Sequence, residues 1–218
     1  MSHGLQFIPV PSTYNRIAGR NLDRLIALSD GVFSVAMTLL VLDLRAPAYD
    51  AIHSERELLA ALVALSPRLG TYMMSFLTLG IFWVGQAAQL DRLERGDRDL
   101  AWIHIGFLFA VTLVPFSTAL LAEHIVYRSA LIVYWLNVLL LGMILLWTWR
   151  YAMKAQLVRK DTPPEVAGAI ERRIVRAQML YALGAALCVI STTVSIVFIG
   201  LVQLNYALAL ADRWFSRE

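Results

Sequence analysis

The sequence predicts an all-α integral membrane protein with six transmembrane helices per chain, and three observations carry that prediction. The 218 residues are 59% apolar and 16% charged, with a mean hydropathy of +0.63; a soluble domain carries about a quarter charged residues. Apolar runs long enough to cross a ~30 Å hydrocarbon core recur along the chain. The basic residues also segregate. With six spans and the amino terminus inside, fifteen of the nineteen Lys and Arg fall on inner segments, leaving Arg45, Arg56, Arg68 and Arg128 outside. The positive-inside rule then puts both termini in the cytoplasm.

Residues 1–24 read as a polar arm with Pro9 and Pro11 and no apolar h-region, so the first span is expected to act as its own insertion signal. That span, 25–44, is 20 residues long, about 30 Å of helix. The loop to 68 carries a short amphipathic helix over 55–66. The second span covers 69–90 behind Pro67, and the charged turn 91–99 leads into the third, 100–121. The fourth covers 130–149. In the polar hairpin 154–176, Pro163 and Pro164 open a charged helix at Glu165 that leads into the membrane. The run 177–211 then holds 35 residues without a charge. As one straight helix it would reach about 52 Å, so it is read as two spans, 177–192 and 194–211, broken near Ser191, Thr192 and Thr193. Merging them would move Arg213 and Arg217 outside and weaken the charge ratio to 13 against 6. Residues 212–218 are a cytoplasmic tail.

Several function classes fall away on composition. The one cysteine, Cys188, lies in an apolar run and permits neither a disulfide within the chain nor a cysteine-based metal site; it is expected to be a small buried hydrophobe. No nucleotide loop, metal-ligand cluster or nucleophile constellation is present, and His53 and His124 fall in outer loops. An enzyme, a cofactor and a nucleic-acid partner are therefore not expected. Six tryptophans, Trp83, Trp102, Trp135, Trp147, Trp149 and Trp214, mostly stand near span ends, where their rings anchor at the interface.

Polar groups inside the spans carry what chemistry there is. Asp30 stands about one and a half turns into the first span, where a carboxylate must face protein or water. Either it pairs with a neighbouring helix, or this helix lines a path for ions. By depth, Arg24, Ser29, Asp30, Gln86, Gln89 and His104 occupy one membrane level and can form a hydrogen-bonded belt between helices. Arg24 and Asp30, about 240° apart around the helix, are not expected to pair with each other. Packing and pH sensing through His104 are both open for the belt, since imidazole titrates near pH ~6.5. On the same helix Val35, Leu39 and Leu42 fall at i, i+4 and i+7, a single apolar stripe.

The wording of the first span is specific. Arg24-x-x-x-Leu28-Ser29-Asp30, followed by Gly31-Val32-Phe33-Ser34-Val35-Ala36-Met37-Thr38-Leu39-Leu40-Val41-Leu42, resembles the first helix of the endolysosomal potassium channel family (transmembrane protein 175 type) and its bacterial six-helix relatives. The family has Phe where this chain has Leu28, and often Ile where it has Val35. The segment 113–121, with Pro115, Phe116, Thr118, Ala119 and Leu120, is similar to the family's end of span three, and Leu136-Asn137 and Trp149-Arg150-Tyr151-Ala152 resemble the ends of span four. The match covers roughly residues 20–155.

The resemblance implies a homotetramer in a bacterial inner membrane with the first helix lining a central pore. Val35, Leu39 and Leu42 would form the pore constriction, Thr38 would be the nearest hydroxyl, and potassium would be the permeant. Such rings can gate by dewetting. The valine at the first ring predicts a slightly wider constriction. There is no Thr-Val-Gly-Tyr-Gly filter, so any potassium preference needs another geometry. The acidic residues at the outer mouth are Asp43 and Asp50. Relatives often carry Phe-Trp-x-x-His-His in span two, where this chain has Phe82-Trp83-Val84-Gly85-Gln86-Ala87, and commonly Asn at the position of His104. The histidine roles therefore do not transfer, and the polar network is expected to be rearranged. The competing readings are a secondary transporter or proton pathway using Asp30 and His104, and a non-conducting membrane scaffold.

Overall fold

The computed structural model describes residues 22–215. Most of the predicted arm, with Arg16 and Arg20, and the last residues of the tail, with Arg217, lie outside the described residues. So do the side chains of Arg213 and Trp214. Among the described residues there are eight α-helices and no strand: α1 Leu22–Leu39, α2 Glu55–Ala64, α3 Ser66–Leu90, α4 Arg98–Thr112, α5 Val114–Glu123, α6 Arg128–Lys154, α7 Pro164–Ala186 and α8 Thr192–Phe215. Four helical stretches are long and apolar enough to cross a membrane: Leu22–Asp43, Ser66–Leu90, Arg98–Glu123 and Arg128–Lys154.

Local chemistry explains most of the boundaries. Ser54 caps α2, its Oγ accepting from the Glu57 N–H at 3.3 Å. Pro67 sits in the first turn of α3, where a missing N–H costs nothing. Asp97 caps α4 through the Leu100 N–H at 2.8 Å and also accepts from the Tyr151 hydroxyl at 2.8 Å, clamping the α3–α4 turn to the end of α6. Pro115 accounts for the break between α4 and α5 at Leu113. The nearby hydroxyls of Thr112 and Ser117 donate to the Phe109 and Val114 carbonyls, at 2.7 and 3.0 Å.

In the final third, α7 runs unbroken from the Pro163-Pro164 step through its charged turns to Ala186, so most of the expected polar hairpin is helix. A 3-10 turn, Leu187–Val189, then ends it, and α8 starts at Thr192. The charge-free run is thus two helices, parted at Ile190 and Ser191. One glycine lets α7 and α8 close, and another lets α6 and α7 approach. A Cβ on Gly184 would lie 2.7 Å from Ile199 Cγ1, and one on Gly142 would lie 1.8 Å from Gln178 Nε2. Small residues at helix crossings serve this purpose in membrane bundles.

The helices form two groups that share α3 and α6. On one side α1 packs against α3 and α4, with α5 closing behind; on the other, α7 packs against α6 and α8, and α8 against α3. The main core spans both groups, from Phe33 and Phe107 to Tyr181 and Ile199. Cys188 is buried, as expected of a small hydrophobe. Trp149, expected as an interfacial anchor, is instead buried, and its indole N–H donates to the Ala167 carbonyl at 3.2 Å, tying α6 to α7.

Candidate functional site: the two faces of the first helix

The inward face of α1 is one stripe. Leu25, Ser29, Phe33 and Ala36 are buried, and Leu40 continues the row at spacings of four and three. Within it Ser29 is the polar exception, and the structure supplies its partners. The Gln86 amide of α3 donates to Ser29 Oγ at 2.9 Å, His104 Nε2 of α4 lies 2.6 Å from that oxygen, and Gln86 Nε2 is 3.3 Å from His104 Nε2. All three side chains are at most 3% exposed. Four residues along α1, four back along the antiparallel α3 and three along α4 stand Phe33, Phe82 and Phe107, their ring centroids 6.0 and 6.4 Å apart. The polar triad is thus sealed on one side by an aromatic layer, each tilted ring pair contributing about 0.5–1.5 kcal/mol. A closed, dry hydrogen-bonded group of this kind holds helices in one register.

The remaining members of the predicted belt do not join it. Gln89 is buried but lies three residues beyond Gln86, so its amide faces α6 and donates to the Leu145 carbonyl at 3.3 Å. Asp30 follows Ser29 by about 100° of helix rotation; it turns outward, where it accepts from the Trp83 indole at 2.8 Å. Arg24 is exposed on the first turn of α1. The belt is therefore a triad of Ser29, Gln86 and His104, with Asp30 and Arg24 outside it.

The outward face of α1 is apolar and uncovered. Val35 and Leu39 are 57% and 45% exposed, and Leu42, in the 3-10 turn Leu40–Asp43 that extends α1, is 68% exposed. Only 28% of the most apolar stretch of this helix is buried in the subunit, against 44–50% for the other three. Thr38 lies on the same exposed side, and its hydroxyl donates back to the Ser34 and Val35 carbonyls at 3.1 and 2.8 Å. With its hydrogen tied to the helix, that oxygen presents lone pairs outward.

A second polar group went unread in the sequence. Thr78 of α3 lies 2.8 Å from the Tyr134 hydroxyl of α6 and accepts from the Gln203 amide of α8 at 2.6 Å. Beside it Thr118 donates to Ser75 at 2.7 Å, and Asn137 donates to Ser117 at 3.1 Å. The pattern was there to find. Thr71, Ser75, Thr78, Phe82, Gln86 and Gln89 recur at helical spacing along α3, all buried, five of the six polar.

Comparison with known proteins places this geometry in a family. Residues 24–115 match the family described as Endosomal/lysosomal potassium channel TMEM175. A potassium channel of Streptomyces collinus is 32% identical over 189 residues, 84% of this chain and 90% of the relative. The chain belongs to the TMEM175 potassium channel family. A potassium channel of Chamaesiphon minutus is 30% identical over 177 residues, 79% of this chain and 87% of the relative. The crystal structure of a lysosomal potassium-selective channel TMEM175 homologue from Chamaesiphon minutus superposes with a TM-score of 0.75 at 28% identity, covering 86% of this chain and 97% of that one. The all-helical fold is therefore that of a TMEM175 channel, and the family is one of ion channels, not an enzyme class. The matched stretch 24–115 contains both faces of α1 and the whole Ser29–Gln86–His104 triad. Tyr134, Asn137 and Gln203 of the second polar group lie beyond it.

Proposed function

We propose that this chain is a passive, potassium-preferring monovalent cation channel in which four copies set α1 around a central pore. The observation that carries the proposal is the uncovered apolar face of α1, backed by the buried triad that fixes the helix from behind. One helix cannot enclose a pore, so an apolar membrane helix with so little cover in its own subunit calls for copies of itself. Val35, Leu39 and Leu42 form the constriction, and Thr38 offers an oxygen to an ion passing it. Apolar rings admit a cation only when it sheds water or the ring wets. In this proposal α7 and α8 supply the fifth and sixth spans, and both termini face the cytoplasm of a bacterial inner membrane. Potassium is the permeant, no cofactor takes part, and the partners are further copies and lipid. A relay between Asp30 and His104 is not part of this reading: Asp30, about 100° around α1 from Ser29, is taken up by the Trp83 indole, while His104 meets Ser29 and Gln86.

The test is the reversal potential of purified protein in a planar bilayer, with potassium on one side and sodium on the other. A steady current reversing toward the potassium potential is expected. Leu39→Ala, which shortens an exposed side chain, should enlarge that current severalfold without lowering thermal stability. Uphill transport driven by a second ion, or no flux from folded tetrameric protein, would overturn the proposal.

A further inference from the structure

On the side of the bundle away from α1, α6 and α8 each pack against both α3 and α7, yet α3 and α7 share no packed interface of their own. The gap between them is a crevice walled by Phe82, Gly85 and Ala88 of α3, Leu145 of α6, and Ile174 and Tyr181 of α7. Its walls are overwhelmingly apolar, Tyr181 closes one end at 2% exposure, and Ala88 is open to the surroundings. At the other end stands Arg173, its guanidinium 5.9 Å above the ring of Tyr206. Arg173 to Tyr181 spans eight residues, about 12 Å of helix.

The charge at this mouth is unbalanced. Among the described residues the salt bridge on this helix joins Glu171 to Arg150, which takes up the nearest acid and leaves Arg173 resting on an aromatic face. Arg176 lies on the next turn, where the charged part of α7 gives way to the charge-free run at Ala177. In the proposed topology Arg173, in the lining of the slot, and Arg176, one turn beyond it, stand where α7 meets the headgroups. Basic pockets between membrane helices recognise anionic headgroups in this way.

We infer that the α3–α7 crevice binds an anionic phospholipid of the cytoplasmic leaflet, its phosphate held at Arg173 and Arg176 and one acyl chain lying along Gly85 and Leu145. The site rests on the bundle crossing a membrane and is independent of conduction.

Two variants separate the head from the chain. Arg173→Gln removes headgroup charge at the surface. Gly85→Leu directs a side chain into the slot; a Cβ there meets only Leu145, at 3.7 Å, and thermal unfolding checks that the longer side chain is accommodated. Delipidated full-length protein would be titrated with phosphatidylglycerol or phosphatidylcholine and bound lipid counted by native mass spectrometry, with thermal unfolding as the check on folding. Phosphatidylglycerol is expected to be retained preferentially, about fivefold more weakly by Arg173→Gln, and not by Gly85→Leu. Equal retention of the two lipids, or unchanged retention by folded Gly85→Leu, would overturn the inference. The first outcome removes the charge recognition; the second leaves only attraction of lipid to a basic surface. Channel current plays no part in the readout, so a protein that fails to conduct can still pass or fail this test.

Discussion

The two buried polar groups differ in what they hold and in what they can respond to. The triad of Ser29, Gln86 and His104 ties α1 to α3 and α4, directly behind the face proposed to line the pore. The group around Thr78, Tyr134 and Gln203 ties α3 to α6 and α8, about two turns along the same buried stripe of α3. Both are closed to solvent, and both use α3 as their common rail. The first contains an imidazole; the second contains hydroxyls and amides, none of which titrates near neutral pH. One network can carry a message to the helix proposed to line the pore, while the other only fixes the scaffold against which that helix works.

Breaking the triad should have the larger effect on conduction. Ser29→Ala removes the oxygen that both Gln86 and His104 contact, leaving two buried polar groups short of a partner. The expected loss is about 1–3 kcal/mol of stability, read as a lower unfolding temperature in detergent, together with an altered current as α1 loses its fixed register. An unchanged unfolding temperature would mean that the triad does not hold the helix. Thr78→Val keeps the side-chain volume but strips the hydroxyl from Tyr134 and Gln203, so its stability cost should be comparable, about 1–3 kcal/mol. It should leave current per folded channel as it was. If Thr78→Val changed conduction as strongly as Ser29→Ala, the division between message and scaffold would fail.

The comparison also shows what a sequence can disclose about such a bundle. The helix break near Ser191 was legible because 35 uncharged residues are too long for one crossing. The outward side of Val35 and Leu39 was legible because helical periodicity puts them together, but the 3-10 turn that carries Leu42 was not. Depth grouped Gln86, Gln89 and His104 at one level, but depth says nothing of rotation. Gln89 faces α6 and Asp30 faces Trp83 because each side chain's azimuth is set by neighbouring helices, which no one-dimensional pattern records. Trp149 was misread for a similar reason. A tryptophan near a span end suits the interface, yet here the packing of α7 covers it and offers the Ala167 carbonyl. The Thr78 group shows the opposite failure. Its hydroxyl stripe on α3 was visible, but its partners on α6 and α8 lie 56 and 125 residues away.

The smallest effect should come from His104→Gln, and it tests the comparison most sharply. A glutamine amide can reach toward Ser29 and Gln86 while offering both a donor and an acceptor, so the variant should stay within about 0.5–1 kcal/mol of the wild type near neutral pH. Acid should then separate the two proteins. In the neutral imidazole Nε2 can accept from the Gln86 amide or the Ser29 hydroxyl; once protonated it is a donor facing the Gln86 N–H groups at 3.3 Å. Wild-type protein should therefore lose unfolding temperature as pH falls below about 6.5, where the unfolded chain's histidine takes up a proton that the buried imidazole does not. His104→Gln should show a flatter stability profile, whereas Thr78→Val should keep the wild-type pH dependence from a lower starting stability. If acid weakened wild type and His104→Gln equally, the imidazole would be a packing group like the hydroxyls around Tyr134, and the two networks would differ in position alone.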